Sequence, residues 1–231
     1  MCGRFGSFYP AEGLAEHFEL DAIPALEPRF NITPGSPIAV VRRPSTEGPR
    51  ELARLYWGLV PHWAKDPAGV GRTINARSET AAEKPAFRQA FARRRALIPA
   101  DGFYEWTHRS EPGQPYFYRL TGHRTFAFAG LWERWEHDDR GVLESCTILT
   151  TRANRLIRPV HHRMPVILAP EAYEVWLDTV EKSPAELQSL CVPFPAEEMT
   201  GYPVNSWVNH PGHEGPRCIE PLNDGQLSWL P

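Results

Sequence analysis

The chain opens Met1-Cys2-Gly3-Arg4-Phe5. Methionine aminopeptidases remove Met1 when the next residue is small, and Cys qualifies. Cys2 then carries a free α-amine and a thiol on adjacent carbons. Reference pKa values of about 7.7–8.0 and about 8.5 leave part of each deprotonated near neutral pH, so no special tuning is expected. An amine condenses with an aldehyde to a Schiff base, and a neighbouring thiolate can close a five-membered thiazolidine on the imine carbon. The same residue can instead attack an amide as a thiolate, with its own amine as base. Gly3 lets the backbone turn and Arg4 supplies a cation.

Three interior segments add polar groups in apolar frames. In 73–80, TINARSET, Asn75 can hold a carbonyl or hydroxyl with both arms of its amide, and Arg77 offers a planar fork suited to phosphate. In 98–106, IPADGFYEW, Glu105 sits among aromatics, where desolvation raises a carboxyl pKa toward that of a general acid/base. In 160–166, VHHRMPV, an extended chain puts His161 and Arg163 on one face and His162 on the other, so that His161 beside a cation can hold an anionic or hydroxyl group. A fourth segment, WGLVPHWAK at 57–65, offers aromatic rings beside a base; Trp57 reads as core and Trp63 as a platform on which a nucleobase can stack. Blander readings stand beside each: Ser78 or Thr80 as a helix cap, Asn75 as a turn residue, Glu105 as an exposed strand residue, the two His as loop residues. His210-x-x-His213 with Cys218 lacks a clear fourth ligand in a Pro/Gly loop, so no metal site is expected.

These groups need a frame. The chain has 231 residues, 42% hydrophobic, with 24 Pro and 17 Gly. That much Pro excludes a helical bundle and favours short strands, short helices and turns. Helices are predicted over Pro10–Leu20, Thr80–Arg95 (with Pro85 restarting a second one), Pro170–Thr179 and Pro184–Leu190. Strands are predicted over Pro37–Val41, Glu51–Leu59, Arg95–Trp106, Pro115–Leu120, Thr125–Leu131, Leu143–Thr151 and Met164–Leu168, with a Pro-rich ordered loop over Asp21–Pro37. No βαβ alternation, internal repeat or low-complexity linker appears. The expectation is one α+β domain over 1–231, a curved, barrel-like, mainly antiparallel sheet flanked by short helices.

Net charge is −3, unevenly spread. Residues 71–95 hold seven Arg/Lys against two Glu; 151–163 hold four Arg, two His and no acid; 169–231 hold ten acids and two bases. A basic middle suits local contact with a phosphate backbone, and solvated faces explain the same pattern blandly. The four Cys form no CxxC pair, so reduced thiols in a cytoplasmic or nuclear compartment are expected. No apolar leader or membrane span is read.

In order along the chain, MCGRF, PRFNITPG at 28–35, WGLVPHWAK at 57–65, INARSET at 74–80, ADGFYEW at 100–106, HHRMPVIL at 161–168 and YPVNSWVN at 202–209 resemble the SRAP family of SOS response-associated peptidases, or abasic-site processing proteins. The resemblance covers nearly the whole chain. It implies a mixed α/β domain with a barrel-like core and a basic groove for single-stranded DNA. It implies that Cys2, exposed by self-removal of Met1, crosslinks to the ring-opened aldehyde of an abasic site. The matching positions are Cys2 as nucleophile, Asn75 as positioner, Glu105 as proton shuttle and His161 as the group on the sugar oxygen. Arg4, Arg77 and Arg163 match phosphate-binding positions, and Trp63 matches an aromatic beside the DNA. Ala64 departs from members that carry a second Trp there. The expected protein is a cytoplasmic monomer, nucleoid-associated when bound to DNA, with no cofactor, metal or membrane. Three other readings fit parts of the sequence: an amidohydrolase with an N-terminal nucleophile, a peptidase acting on other proteins, and a non-catalytic single-strand binding module.

Overall fold

Apolar and β-branched runs become strands, thirteen of them among the described residues, and the Pro-rich stretches between them become turns. The computed structural model describes residues 2–22, 25–45, 48–66, 73–107, 113–137, 141–180 and 182–222. In chain order the elements are β1 (Phe5–Ser7), α1 (Ala11–Phe18), β2 (Arg29–Ile32), β3 (Pro37–Arg42), β4 (Glu51–Trp57), β5 (Asn75–Arg77), α2 (Ser78–Ala81), α3 (Arg88–Arg93), β6 (Arg95–Ala100) and β7 (Gly102–Trp106). They continue with β8 (Pro115–Leu120), β9 (Phe126–His137), β10 (Gly141–Arg152), β11 (Arg163–Pro165), β12 (Ile167–Leu168), α4 (Tyr173–Leu177), α5 (Pro184–Ser189) and β13 (Met199–Pro203).

Five strands close a barrel in the order β10–β4–β3–β6–β9 and back to β10. The β4–β10 pair is parallel and the other four are antiparallel. A second sheet, β13–β8–β7–β1–β2, is antiparallel throughout. This is the α+β architecture with a barrel-like, mainly antiparallel sheet that the sequence predicts. Side chains alternate along the barrel strands. Ile38, Val40, Leu55, Trp57, Ala96, Ile98, Phe128 and Ile148 fill a cluster shared with Phe5, Phe103 and Tyr118 of the second sheet. Val41, Leu97, Ala129, Leu131 and Leu149 belong to the other cluster, under Phe18 of α1, Phe91 of α3 and Trp176 of α4. Phe5 sits edge-on to Trp57 and Phe128, at 5.2 and 5.7 Å between centroids, and so locks β1 to the barrel.

Several predicted elements divide or shift. The strand expected over 95–106 breaks at Asp101. Its carboxylate accepts the backbone N–H groups of Phe8 and Tyr9 at 2.5 and 2.9 Å and the Thr125 hydroxyl at 2.5 Å. These bonds carry the chain round the corner from barrel to second sheet. Gly102 follows because a Cβ there would stand 2.1 Å from the Phe117 ring and 2.7 Å from the Tyr118 carbonyl oxygen. Met164–Leu168 is likewise two strands, β11 on β10 and β12 on β9, joined through Val166, which bonds to both neighbours. Pro85 opens a turn rather than α3: Lys84 O accepts from Phe87 and Arg88, and the helix proper begins at Arg88. The expected loop over 21–37 contains β2. The turn that STEGP at 45–49 predicts between the two strands β3 and β4 lies partly outside the described residues.

Candidate active site and nucleic-acid interface

Cys2 enters β1 along β7. Phe5 pairs with Phe103, and Tyr104 N–H donates to Arg4 O at 3.0 Å. One further step of this register brings residue 3 level with Glu105. Asn75, the first residue of β5, reaches across and donates from Nδ2 to the Cys2 carbonyl at 2.8 Å. Its Oδ1 is buried and has no hydrogen-bond partner among the described residues. β5 owes its place to parallel pairing with β10, Ile148 opposite Asn75 and Thr150 opposite Arg77.

Glu105 is 4% exposed, and its strand partner across β7–β8 is Tyr116. Burial raises its carboxyl to about 7, against a lowering pull from the positive charge of the amino terminus. It therefore exchanges its proton near neutral pH, as the sequence predicts. The Cys2 thiol departs from its expected ordinary range. Cys2 is fully buried in the cluster with Phe5, Trp57 and Met164; burial and the nearby Glu105 charge push its pKa far up. In this form, which retains Met1, the thiol stays protonated, and it is not a thiolate without tuning.

His161 caps the turn after Ile157, to whose carbonyl its N–H donates at 3.0 Å. Its ring is buried and stacks on His162 at 4.5 Å. The Arg163 backbone holds the ring by its Nδ1 side, with its N–H at 2.9 Å and its carbonyl oxygen at 3.1 Å from Nδ1, which leaves Nε2 on the opposite edge of the ring. Val160 and Ile74, the residues preceding His161 and Asn75, pack on the cluster that contains Cys2.

The expected DNA-contact residues fall into two groups. Trp63 is 55% exposed and Arg77 is exposed, whereas Trp57 is core, as predicted. Arg163 is engaged: it makes a bidentate pair with Glu79 at 2.7 and 2.9 Å and donates to Thr150 O at 2.6 Å. The same pair holds Glu79 below the ordinary carboxylate range. Arg4 is also engaged, with Asn31 Oδ1 at 2.7 Å and Val208 O at 2.8 Å. Asn31 donates in turn to the carbonyls of Val208, His210 and His213. Arg4 and Asn31 thus brace the amino-terminal strand, the 28–35 motif and the 202–209 segment against one another. Ala64 is buried with Val60 and Trp135, and its carbonyl accepts the Trp135 indole N–H at 2.7 Å. His213 stacks on Trp207 at 3.4 Å and its Nδ1 lies 2.7 Å from Trp207 O. Among the described residues no three His, Cys, Asp or Glu are disposed to hold a metal ion, and no helix is long and apolar enough to cross a membrane.

The family model for SOS response associated peptidases (SRAP) matches residues 1–211. The chain belongs to this family. The abasic site processing protein YoqW of Bacillus subtilis strain 168 is 41% identical over 225 residues, covering 95% of this chain and 99% of the relative. The abasic site processing protein YedK of Escherichia coli K12 is 32% identical over 232 residues, covering 96% and 100%. Among solved structures, a protein from Bacteroides thetaiotaomicron superposes on this SRAP chain with a TM-score of 0.85 at 27% identity, covering 96% of this chain and all of the other. One from Bordetella bronchiseptica gives 0.76 at 30% identity, covering 88% and 100%. Sequence reasoning missed Asn31, Glu79 and Thr150. Asn31 and Glu79 lie inside quoted motifs, but their partners Arg4 and Arg163 are 27 and 84 residues away, and no local spacing reveals them.

Proposed function

We propose that this chain processes abasic sites in single-stranded DNA by a covalent bond through Cys2. Met1 is first removed by hydrolysis of the Met1–Cys2 amide, which leaves Cys2 with a free amine. The ring-opened abasic sugar presents an aldehyde. The Cys2 amine adds to it, and the carbinolamine loses one water to give an imine. The thiol then adds to the imine carbon and its proton passes to nitrogen, closing a thiazolidine with no oxidant or reductant consumed. Glu105 takes a proton from the amine or thiol and returns one to the departing hydroxyl, two transfers that suit a carboxyl near pH 7. Asn75 holds residue 2 by its carbonyl and offers Oδ1 to the incoming sugar. His161 donates from Nε2 to the sugar oxygen and helps open the ring. Trp63 stacks a base, Arg77 meets phosphate, and Arg163 meets phosphate by exchanging Glu79. Arg4 acts as the brace that fixes the nucleophile's strand.

The observation that carries this reading is the contact of Asn75 Nδ2 with the Cys2 carbonyl at 2.8 Å beside a buried Glu105. The names of the relatives support the substrate class. The test mixes purified protein with single-stranded DNA carrying one abasic site, followed by a denaturing gel and intact mass spectrometry. A heat-stable adduct that lacks Met1, and that Cys2→Ala does not form, is expected. No adduct from protein whose Met1 is shown by mass to be gone sinks the mechanism and shifts weight to hydrolysis of a foreign amide.

A further inference from the structure

His62 stands outside the constellation around Cys2. It precedes Trp63 in the loop that leaves β4. Its Nδ1 lies 3.2 Å from Oε2 of Glu133 on β9. Glu133 is 2% exposed, yet it is well satisfied. The Arg94 guanidinium contacts its two oxygens at 2.7 and 2.8 Å, and the Arg134 backbone N–H donates to Oε1 at 3.0 Å. A carboxylate only accepts, so Nδ1 of His62 carries a proton. The opposite ring nitrogen, Nε2, is turned away from Glu133, on a side chain that is 44% exposed. A buried carboxylate behind an exposed imidazole fixes the ring's tautomer and orientation, and such an arrangement aims Nε2 at a ligand. Arg94 already balances Glu133, so protonated His62 leaves one net positive charge at this point. Lys65 and Asp66 follow on the same loop, and the Arg134 guanidinium is turned to Glu136 at 3.4 Å.

We propose that His62 is a phosphate-binding residue for single-stranded DNA: as an imidazolium, with Nδ1–H on Glu133, its Nε2–H donates to a phosphodiester of the nucleotide whose base stacks on Trp63. The assignment rests on the reading of this site as one that takes single-stranded DNA. The loop is tied to the reacting centre, because Leu59 bridges to Thr73, two residues before Asn75. Glu133 and Arg94 are positioning residues here and do not touch the ligand.

Fluorescence anisotropy with a labelled oligothymidylate that contains no abasic site reads binding apart from crosslinking. At pH 6, His62→Ala should weaken binding several-fold and lower the slope of log K against log salt by about 0.7, the value for one phosphate contact on a single strand. His62→Lys should keep the slope. Equal slopes for wild type and His62→Ala overturn the assignment while wild-type binding leaves the single-strand reading standing. If the wild type does not bind oligothymidylate at all, both are overturned together.

Discussion

Glu105 is where chemistry and stability oppose each other. Its folded carboxyl titrates near 7, well above the ordinary 4.5. Between those values the unfolded chain has released a proton that the folded chain still holds. The unfolded state therefore binds fewer protons, and stability falls as pH rises from about 4.5 to about 7, then stays lowered. The penalty is of the order of 3 kcal/mol for a carboxyl this buried. Glu105→Gln removes it, so chemical denaturation at pH 8 should show the variant more stable than wild type, with the difference gone at pH 4. The same variant should crosslink at least about 100-fold more slowly, since a Gln cannot shuttle a proton. A variant less stable than wild type at pH 8 contradicts the burial argument. Cys2→Ala separates amine from thiol: the imine should still form and be trapped by borohydride, strand nicking should persist, and the heat-stable adduct should vanish. No reducible adduct and no nick would count against the amine's role. The singled-out types Cys2, Asn75 and Glu105 were legible because each is chemically unusual where it stands. The environment of the Cys2 thiol was not, because nothing in MCGRF says that Phe5, Trp57 and Met164 will cover it.

Arg95, the first residue of β6, shows how an element is held from its end. The residue is 3% exposed. Its guanidinium donates to the carbonyls of Phe91 at 2.9 Å and Trp176 at 2.7 Å, and also to those of Ala92 and Asp178. These are carbonyls at the C-terminal ends of α3 and α4, which a helix leaves without internal partners. Arg95→Met fits the volume but strands those acceptors, and should cost about 3–5 kcal/mol, or a melting temperature lower by roughly 10 °C. Arg95→Lys should recover little, because a point charge cannot reach four acceptors spread over two helices. Differential scanning calorimetry decides it, and a loss below about 1 kcal/mol would show water replacing the fork. The strand β10, the first half of β9 and the helix α1 were legible from their own residues; the half of β9 beyond Leu131 was not. β1, β2 and β5 were not. Each has only three or four residues, too few to show a period, and each exists because a remote strand supplies its hydrogen bonds. The corner at Asp101 was hidden for the same reason: its acceptors are claimed by backbone 92 and 93 residues away.

Over the molecule as a whole, charge is segregated by sequence, and the folded chain sets an acid against one of the cations of its basic segments. Residues 71–95 and 151–163 are rich in Arg, which fits a phosphate track on a protein whose net charge is −3. Composition counts those cations as available, yet Arg163 is held by Glu79 in two contacts. The Glu79 side chain is 51% exposed and that of Arg163 11%, so the acid is the partner that water and a competing anion can reach. With the carboxylate half in water, the pair contributes little to stability. A phosphate offers the same planar fork the same two acceptors, so binding replaces one anion by another at nearly the same place. Glu79→Gln removes the competitor and one negative charge from the track. It should leave the melting temperature within about 2 °C, since surface substitutions fall within about 0.5 kcal/mol. It should raise affinity for single-stranded DNA about 3- to 10-fold at low salt, and the gain should shrink as salt screens it. Affinity unchanged by Glu79→Gln would take Arg163 out of the phosphate contacts and leave them to Arg77 and His62. Weaker binding would show that the carboxylate holds the Arg163 fork in its binding geometry, and that this order outweighs the repulsion it brings.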